Sequence, residues 1–226
     1  MSSINSSNNE NNINIYEWDK QDVIRFHKQY ECNFAGDALS SEIYRLSKKF
    51  IKGKVLDIGA GSGALINKIP GAIGIDLVPK HPKVIKADIA NLPFEDSTFD
   101  IIFATEVLEH LDNKTLQEGI SEIRRVLKNQ GRIIVTVPYK ENLEQNMVFC
   151  PKCGKKFHRW GHIQVFDEHR IKDILESKGF KLIKLQILPL GFKAYHSYLK
   201  YFIINLLNKF RIIHPQYTLF VVAMKI

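Results

Sequence analysis

The sequence predicts an α/β fold in which a mostly parallel sheet is covered by helices on both faces. Short runs rich in Val and Ile recur along the chain, and segments with helical spacing of apolar residues separate them. Near-continuous apolar strands of this kind are typical of parallel sheets buried on both faces. At 226 residues and 45% hydrophobic, the chain can build one such core with embellishments. We therefore expect a single domain over residues 16–226.

The segment before the first strand predicts a leader and two helices. Residues 1–15 are rich in Asn and Ser, so we expect a disordered leader rather than a signal peptide or membrane anchor, and a cytoplasmic protein. Over residues 16–50, apolar and aromatic residues at helical intervals predict two helices. These helices could close over a ligand, with Tyr16, Trp18 or Tyr30 as lid residues, or simply pack onto the sheet.

Residues 54–138 predict the first five strands and the helices between them. Proline and glycine residues punctuate the segment, and apolar residues 116, 120, 123 and 127 trace one face of its longer helix. The expected elements are strands at 54–58, 72–75, 84–87, 100–104 and 132–137, a short helix at 64–69, and helical structure from 106 to about 129.

The last third predicts one more helix, at 167–178, and two more strands, at 181–187 and 218–224. Residues 188–217 between these strands are far longer than a usual connection, so we expect a helical insert there. Within it, Lys193–Pro215 is too short and too often interrupted to span a membrane. It could roof an acceptor pocket, lie at a membrane surface or pack on the sheet.

The basic character of the chain is concentrated in this last third. Residues 140–226 carry 15 Lys and Arg against 6 Asp and Glu, whereas residues 1–139 carry 17 against 18. A basic surface can meet phosphate, anionic lipid or an acidic substrate, or can simply be solvated.

The stretch VLDIGAGSGAL, from Val55 to Leu65, predicts a strand, a glycine turn and a helix. Read from Gly59, it fits a dinucleotide fingerprint, but Asp57 inside the loop would repel a pyrophosphate. Asp57, Asp76 and Asp88 all stand at predicted strand ends, where a ligand of a parallel sheet binds. Three acids suit a nucleoside that carries an ammonium group and no phosphate. This pattern favours S-adenosylmethionine, although helix capping and surface charge are alternative roles for the acids.

The ordered motifs VLDIGAGSG, GIDLVP, ADIANLPFEDSTFDIIFATEVLEHL and RVLKNQGRIIVTVP resemble the class I S-adenosylmethionine-dependent methyltransferases, in particular their broad, type 11-like small-molecule group. The resemblance covers residues 54–138 well and the remainder more loosely. It implies a Rossmann-like seven-stranded sheet whose last strand is antiparallel, with residues 54–138 as the cofactor-binding half. It also implies a set of cofactor-binding residues: Asp57, Gly59, Ala60, Gly61, Gly63, Asp76, Leu77, Asp88, Ile89, Thr105 and Glu106.

His110, in EVLEHL, is the candidate catalytic residue. It lies shortly after the fourth strand, where the reacting methyl group is expected, and it could serve as a general base. A structural role, in which it pins the helix to the loop, is the alternative. Neighbouring side chains on a helix point about 100° apart, so we expect Glu109 to face elsewhere.

Residues 139–166 predict an insert with a metal site. CPKCGKKFHRWGH spaces Cys150, Cys153, His158 and His162 as in a zinc knuckle, and four ligands would make a structural Zn²⁺ site. A redox pair of thiols is one alternative, and a site in which His162 faces the substrate is another. Cys32 stands alone and is expected to be an inert thiol.

The leading hypothesis is methyl transfer to a small molecule or to a lipid- or carrier-linked acceptor, with peripheral membrane contact in the lipid case. A nucleic-acid methyltransferase is the second hypothesis, motivated by the knuckle and the basic third. Aromatic residues do not alternate with the basic ones as in a base-stacking groove, which disfavours it. A zinc-braced cofactor-binding module without turnover is the third.

Overall fold

The computed structural model describes residues 18–29, 35–190 and 216–226, together with 206, 207 and 209. The predicted leader, most of the predicted insert over 188–217, and Tyr16, Tyr30 and Cys32 lie outside the described residues. Within the described part of the chain, no helix is both long and apolar enough to cross a bilayer.

In the part of the chain that the structure describes, two helices precede the sheet, as predicted: α1 (Lys20–Gln29) and α2 (Ala35–Ser47). Helix α1 buries none of its residues, whereas Leu39 and Ile43 of α2 are buried against the sheet. The Ser47 hydroxyl donates to the carbonyl of Ile43 at 2.6 Å and closes the last turn of α2. Helix α2 is thus part of the core, and α1 lies outside it.

The described residues form nine strands: β1 (Val55–Ile58), β2 (Ile73–Asp76), β3 (Val84–Lys86), β4 (Phe99–Thr105), β5 (Leu127–Pro138), β6 (Met147–Phe149), β7 (Lys156–His158), β8 (Phe180–Leu188) and β9 (Thr218–Lys225). Seven of them form the main sheet in the order β3-β2-β1-β4-β5-β9-β8. Strand β9 is antiparallel to both β5 and β8, and the pairs among β1 to β5 are parallel. The predicted mostly parallel seven-stranded sheet is therefore confirmed.

Alternate residues of the central strands feed two cores, one on each face of the sheet. On β4, Ile102 points to the side covered by α3 (Asn113–Val126) and α4 (Glu168–Ser177), while Ile101 and Phe103 point to the side covered by α2. All three side chains are fully buried. Burial on both faces explains why the strand reads as an unbroken apolar run.

Two predicted helical segments are shorter than expected. The segment 64–69 forms only a 3₁₀ turn at Ile66–Lys68, because Pro70 and Gly71 end it at once. The helical structure expected from 106 is a 3₁₀ turn at Leu108–His110 followed by α3, whose N-cap Asp112 accepts from the backbone of Thr115 at 2.8 Å. Leu127, predicted on the helix face, instead opens β5 with extended backbone.

The insert at 139–166 folds back over the carboxyl ends of β4 and β5. Its β6–β7 hairpin is antiparallel, with Met147 opposite His158. The backbone N–H groups of Ile163 and Gln164 both donate to the carbonyl of Glu109. The insert is therefore fastened to the turn that follows β4, at the edge of the sheet where ligands bind.

Candidate active site

The glycine loop after β1 has the backbone that the sequence predicts. Gly59, Gly61 and Gly63 have φ of 74°, 47° and 76°, a region that side chains rarely adopt. A Cβ atom on Gly59 would lie 2.4 Å from Cγ2 of Val107, so the loop packs directly against the turn after β4. The loop is thus held close to the β4 exit.

Asp57 lies on β1, just before this loop, and is a buried acid. Its side chain is 3% exposed, and among the described residues its Oδ1 atom has no hydrogen-bond partner. Burial, with a smaller contribution from nearby Asp76, raises its pKa to about 8. A carboxyl group that is hidden from water and lacks a cation is suited to receive the ammonium group of a ligand.

Asp76 and Asp88 stand at the end of β2 and just after β3. Asp76 accepts the backbone N–H of Gly61 at 2.9 Å and that of Val78 at 2.7 Å, so it also fixes the glycine loop. Asp88 accepts from Ala90 N–H at 3.1 Å and pairs with the ammonium group of Lys20 on α1. Both acids lie where the sequence predicts, and their roles in cofactor binding stay predictions.

The remaining predicted cofactor residues differ in exposure. Ala60 is buried with Ile66 and Val84, and Leu77 is half-buried. Ile89 is 6% exposed and belongs to the main core, where it packs on Gly119 of α3. Its side chain therefore packs in the core, and its contact with the cofactor stays a prediction.

Glu106 ends β4 in a strained conformation. Its φ is 56°, its backbone N–H donates to the carbonyl of Thr136, and the preceding Thr105 is nearly buried. Burial, together with nearby Glu141, raises the pKa of Glu106 to about 7. Left-handed backbone at a non-glycine residue costs about 1–3 kcal/mol and clusters at functional sites.

The expectation that Glu109 faces away from His110 is wrong. The Glu109 side chain is fully buried, and ligand atoms of Glu109, His110 and His162 lie within 4.8 Å of one another. Burial and the nearby Glu106 carboxyl raise the pKa of Glu109 well above its usual range. A single 3₁₀ turn replaces the expected helix, and the overlying insert supplies His162.

His110 contacts the insert directly. Its Nδ1 lies 3.3 Å from the carbonyl oxygen of Gly161, so Nδ1–H donates there and Nε2 keeps its lone pair. Burial, with smaller effects of His162 and His27, lowers the pKa of His110 well below its usual range. The imidazole is therefore neutral, which agrees with a base and also with a residue that pins the turn to the insert.

Glu141 organises the histidines of the insert. Its Oε2 lies 2.6 Å from Nδ1 of His162, its Oε1 lies 3.4 Å from Nε2 of His158, and Oε1 also accepts from Asn146 at 3.1 Å. Burial would raise the pKa of Glu141, but the hydrogen bonds from both histidines outweigh it and lower the pKa to about 2. Sequence reasoning missed this residue, although it follows the end of β5 as Asp88 follows the end of β3.

The structure does not assemble the predicted four-ligand zinc knuckle. Among the described residues, His158 and His162 group with Glu141 within 4.8 Å, and no such group contains Cys150 or Cys153. Cys150 pairs with Lys155 at the tip of the β6–β7 hairpin. A strand rises about 3.3 Å per residue, so His158 lies roughly 10 Å further along. The backbone N–H of Cys153, with a smaller contribution from its thiol, lowers the pKa of Cys150.

Helix α1 and Trp18, which lies just before it, pack against the insert and His110. A Cβ on Gly161 would lie 2.6 Å from the Trp18 ring, and that ring lies 6.0 Å from Phe157 of the hairpin. The His27 ring is 6.4 Å from that of His110. With Lys20 on Asp88, α1 contacts both the predicted cofactor side and the insert, and its role as a lid stays a prediction.

Known proteins with similar sequences provide an independent comparison. A family model described as a methyltransferase domain matches residues 28–185. An uncharacterized protein of Methanocaldococcus jannaschii is 34% identical over 192 residues, which cover 78% of this chain and 79% of the relative. A ubiquinone/menaquinone biosynthesis C-methyltransferase of Citrifermentans bemidjiense is 25% identical, covering 62% of this chain and 71% of that protein.

Solved structures share the fold at low identity. A 1,6-didemethyltoxoflavin N1-methyltransferase of Burkholderia thailandensis, solved with its substrate and S-adenosylhomocysteine, matches with a TM-score of 0.61 at 15% identity. The match covers 91% of this chain and 86% of that one. A SAM-dependent methyltransferase of Archaeoglobus fulgidus matches with a TM-score of 0.58 at 23% identity, covering 90% and 99% of the two chains.

Proposed function

Because this chain belongs to the methyltransferase domain family and is an S-adenosylmethionine-dependent methyltransferase, its open question is the acceptor, and we propose that the acceptor is a small molecule. The observation that carries the proposal is the enclosure of the β4 exit: the insert covers the buried Glu109, His110 contacts Gly161 of the insert, and Trp18 covers Gly161. A buried site of this kind suits a compact acceptor that is enclosed before reaction.

The residues at the ends of β1 to β3 fit the cofactor. The buried Asp57 carboxyl would bind the ammonium group of the methionine moiety, Asp76 the ribose hydroxyls and Asp88 the adenine amine. The left-handed Gly59 and Gly61 would let the backbone approach the ligand closely. When bound, this cofactor supplies a methyl group on a positively charged sulfur.

The protein has then to position the acceptor in line with that methyl group and exclude water. Trp18, just before α1, covers Gly161, and the insert covers the turn that carries Glu109 and His110. His110 would meet the acceptor side of the site through Nε2, since Nδ1 is committed to Gly161. The acceptor nucleophile gains the methyl group, and a protic acceptor also loses one proton.

Charge at the site supports a small acceptor over a nucleic acid. Asp57, Asp76 and Asp88 lie on the cofactor side, and Glu106 and Glu109 lie at the β4 exit. Phosphate groups are bound by Lys and Arg, whereas these five residues are acids.

A labelled-cofactor assay tests the proposal. The protein is incubated with S-adenosylmethionine that carries a deuterated methyl group, in parallel with a deproteinised metabolite extract and with total RNA. We expect a deuterium-labelled small molecule in the extract, and no labelled product with Asp57→Asn. Label in RNA nucleosides and none in the extract would contradict the small-molecule acceptor.

A further inference from the structure

We infer that Glu109, His110 and His162 bind a divalent transition-metal ion of the Zn²⁺ class at the acceptor side of the site. Their ligand atoms lie within 4.8 Å of one another. Two imidazoles and a carboxylate are a common ligand set for Zn²⁺ and for other first-row divalent ions. This set shares only His162 with the four ligands that the sequence predicts.

The two histidines are oriented as metal ligands usually are. A ligating histidine almost always donates its second ring N–H to a carboxylate or a backbone carbonyl. His162 has its Nδ1 2.6 Å from Glu141, and His110 has its Nδ1 3.3 Å from the carbonyl of Gly161. Both histidines therefore keep the lone pair on Nε2, the nitrogen that would bind the ion.

The environment of Glu109 gives the main reason to expect a cation at this site. Its side chain is fully buried, and neither carboxylate oxygen has a hydrogen-bond partner among the described residues. A buried carboxylate without partners costs several kcal/mol unless it is neutralised or coordinates a metal. Glu106 nearby adds a second, half-buried acid whose Oε1 is hidden from water and has no hydrogen-bond partner in the described part of the chain. A bound divalent cation would compensate both carboxylates.

His158 is a supporting residue in this arrangement. Its Nδ1 accepts the backbone N–H of His162 at 3.1 Å and that of Trp160 at 3.4 Å. The ring proton therefore lies on Nε2 and points toward Glu141, which prevents ligation through that nitrogen. His158 instead helps to fix Glu141, and Glu141 fixes His162.

Three protein ligands leave at least one coordination position open. Resting on the proposed methyl transfer, we place the heteroatom of the acceptor at that position. A divalent ion lowers the pKa of a bound protic group, so an O–H, N–H or S–H acceptor would release its proton to solvent as it binds, before water is excluded. The resulting lone pair would form the bond to the methyl carbon while the bond from that carbon to sulfur breaks and leaves its electron pair on sulfur.

Metal binding to the full-length protein tests the site without any methyl acceptor. The chain is stripped with a chelator and titrated with Co²⁺ and Zn²⁺, with affinity and metal content measured for each variant. We expect one ion per chain in the parent protein. Glu109→Gln and His162→Ala should each weaken binding at least tenfold, and Glu141→Gln should weaken it about 10–100-fold through the orientation of His162.

The double variant Cys150→Ser, Cys153→Ser is the matched control and should keep its metal. Loss of metal in this control, with a thiolate-to-cobalt charge-transfer band in the parent, would overturn the site in favour of the knuckle. Unchanged binding in Glu109→Gln would also overturn it. Because Glu109→Gln removes an uncompensated buried acid, its metal-free form should melt no lower than the parent, so weakened binding is separable from misfolding. Metal binding without methyl transfer would contradict the proposed function alone.

Discussion

The protein should release a proton when it binds S-adenosylhomocysteine, and replacing Asp57 by Asn should abolish this release. Burial raises the pKa of Asp57 to about 8, so at pH 7 the ligand-free protein carries the proton in about nine molecules of ten. The ligand ammonium group needs the ionised carboxylate. Binding at pH 7 should therefore release about 0.9 proton, and affinity should rise about tenfold between pH 6 and pH 7.

Calorimetry in two buffers with different ionisation enthalpies measures this proton release. Adenosine, which lacks the ammonium group, is the matched ligand and should release no proton through Asp57. Asp173→Asn, which changes an exposed acid of α4, should behave like the parent. Equal proton release by the parent and by Asp57→Asn would refute the assignment of Asp57 to the ammonium group.

The raised pKa of Asp57 also predicts that the stability of the protein depends on pH. Between pH 3.8 and about 8 the folded ligand-free protein binds more protons at Asp57 than the unfolded chain does. The contribution of Asp57 to the free energy of unfolding therefore falls by about 1.4 kcal/mol per pH unit as pH rises through this window. Urea unfolding at pH 5 and pH 7 should show Asp57→Asn gaining about 3 kcal/mol on the parent over these two units.

Three further substitutions test the packing around the site. Gly59 and Gly71 both have φ near 75°, but only at Gly59 would an added Cβ clash with Val107. Gly59→Ala should therefore lose more stability in urea unfolding than Gly71→Ala. A Val107→Ala background should restore part of that difference. Arg125→Lys, which gives up hydrogen bonds to the loop before β4, should cost about 1–3 kcal/mol on unfolding without changing S-adenosylhomocysteine affinity. Trp18→Ala should free α1 from the insert, and trypsin should then cleave within α1 faster than in the parent protein. The melting temperature should change little, because α1 buries no residue.

The sequence by itself determined the sheet, the glycine loop and the acids at the strand ends. Unbroken apolar strands require burial on both faces, and a parallel sheet gathers the ends of its strands at one edge. That rule places Asp57, Asp76 and Asp88 at one edge of the sheet from their positions in the chain alone. It applies equally to Glu141, which follows the end of β5, but the Cys-x-x-Cys pair is the more conspicuous signal in that segment.

Only the tertiary structure decided which side chains share the acceptor side. Spacing along the chain suggests that Cys150 and Cys153 belong with His158 and His162, but the β6–β7 hairpin carries the thiols to its tip and turns the histidines inward. Glu109 joins them because the insert folds back onto its carbonyl, a contact between residues more than fifty positions apart. Local periodicity reports the face of one helix or strand, whereas the partners in a site depend on how distant segments pack.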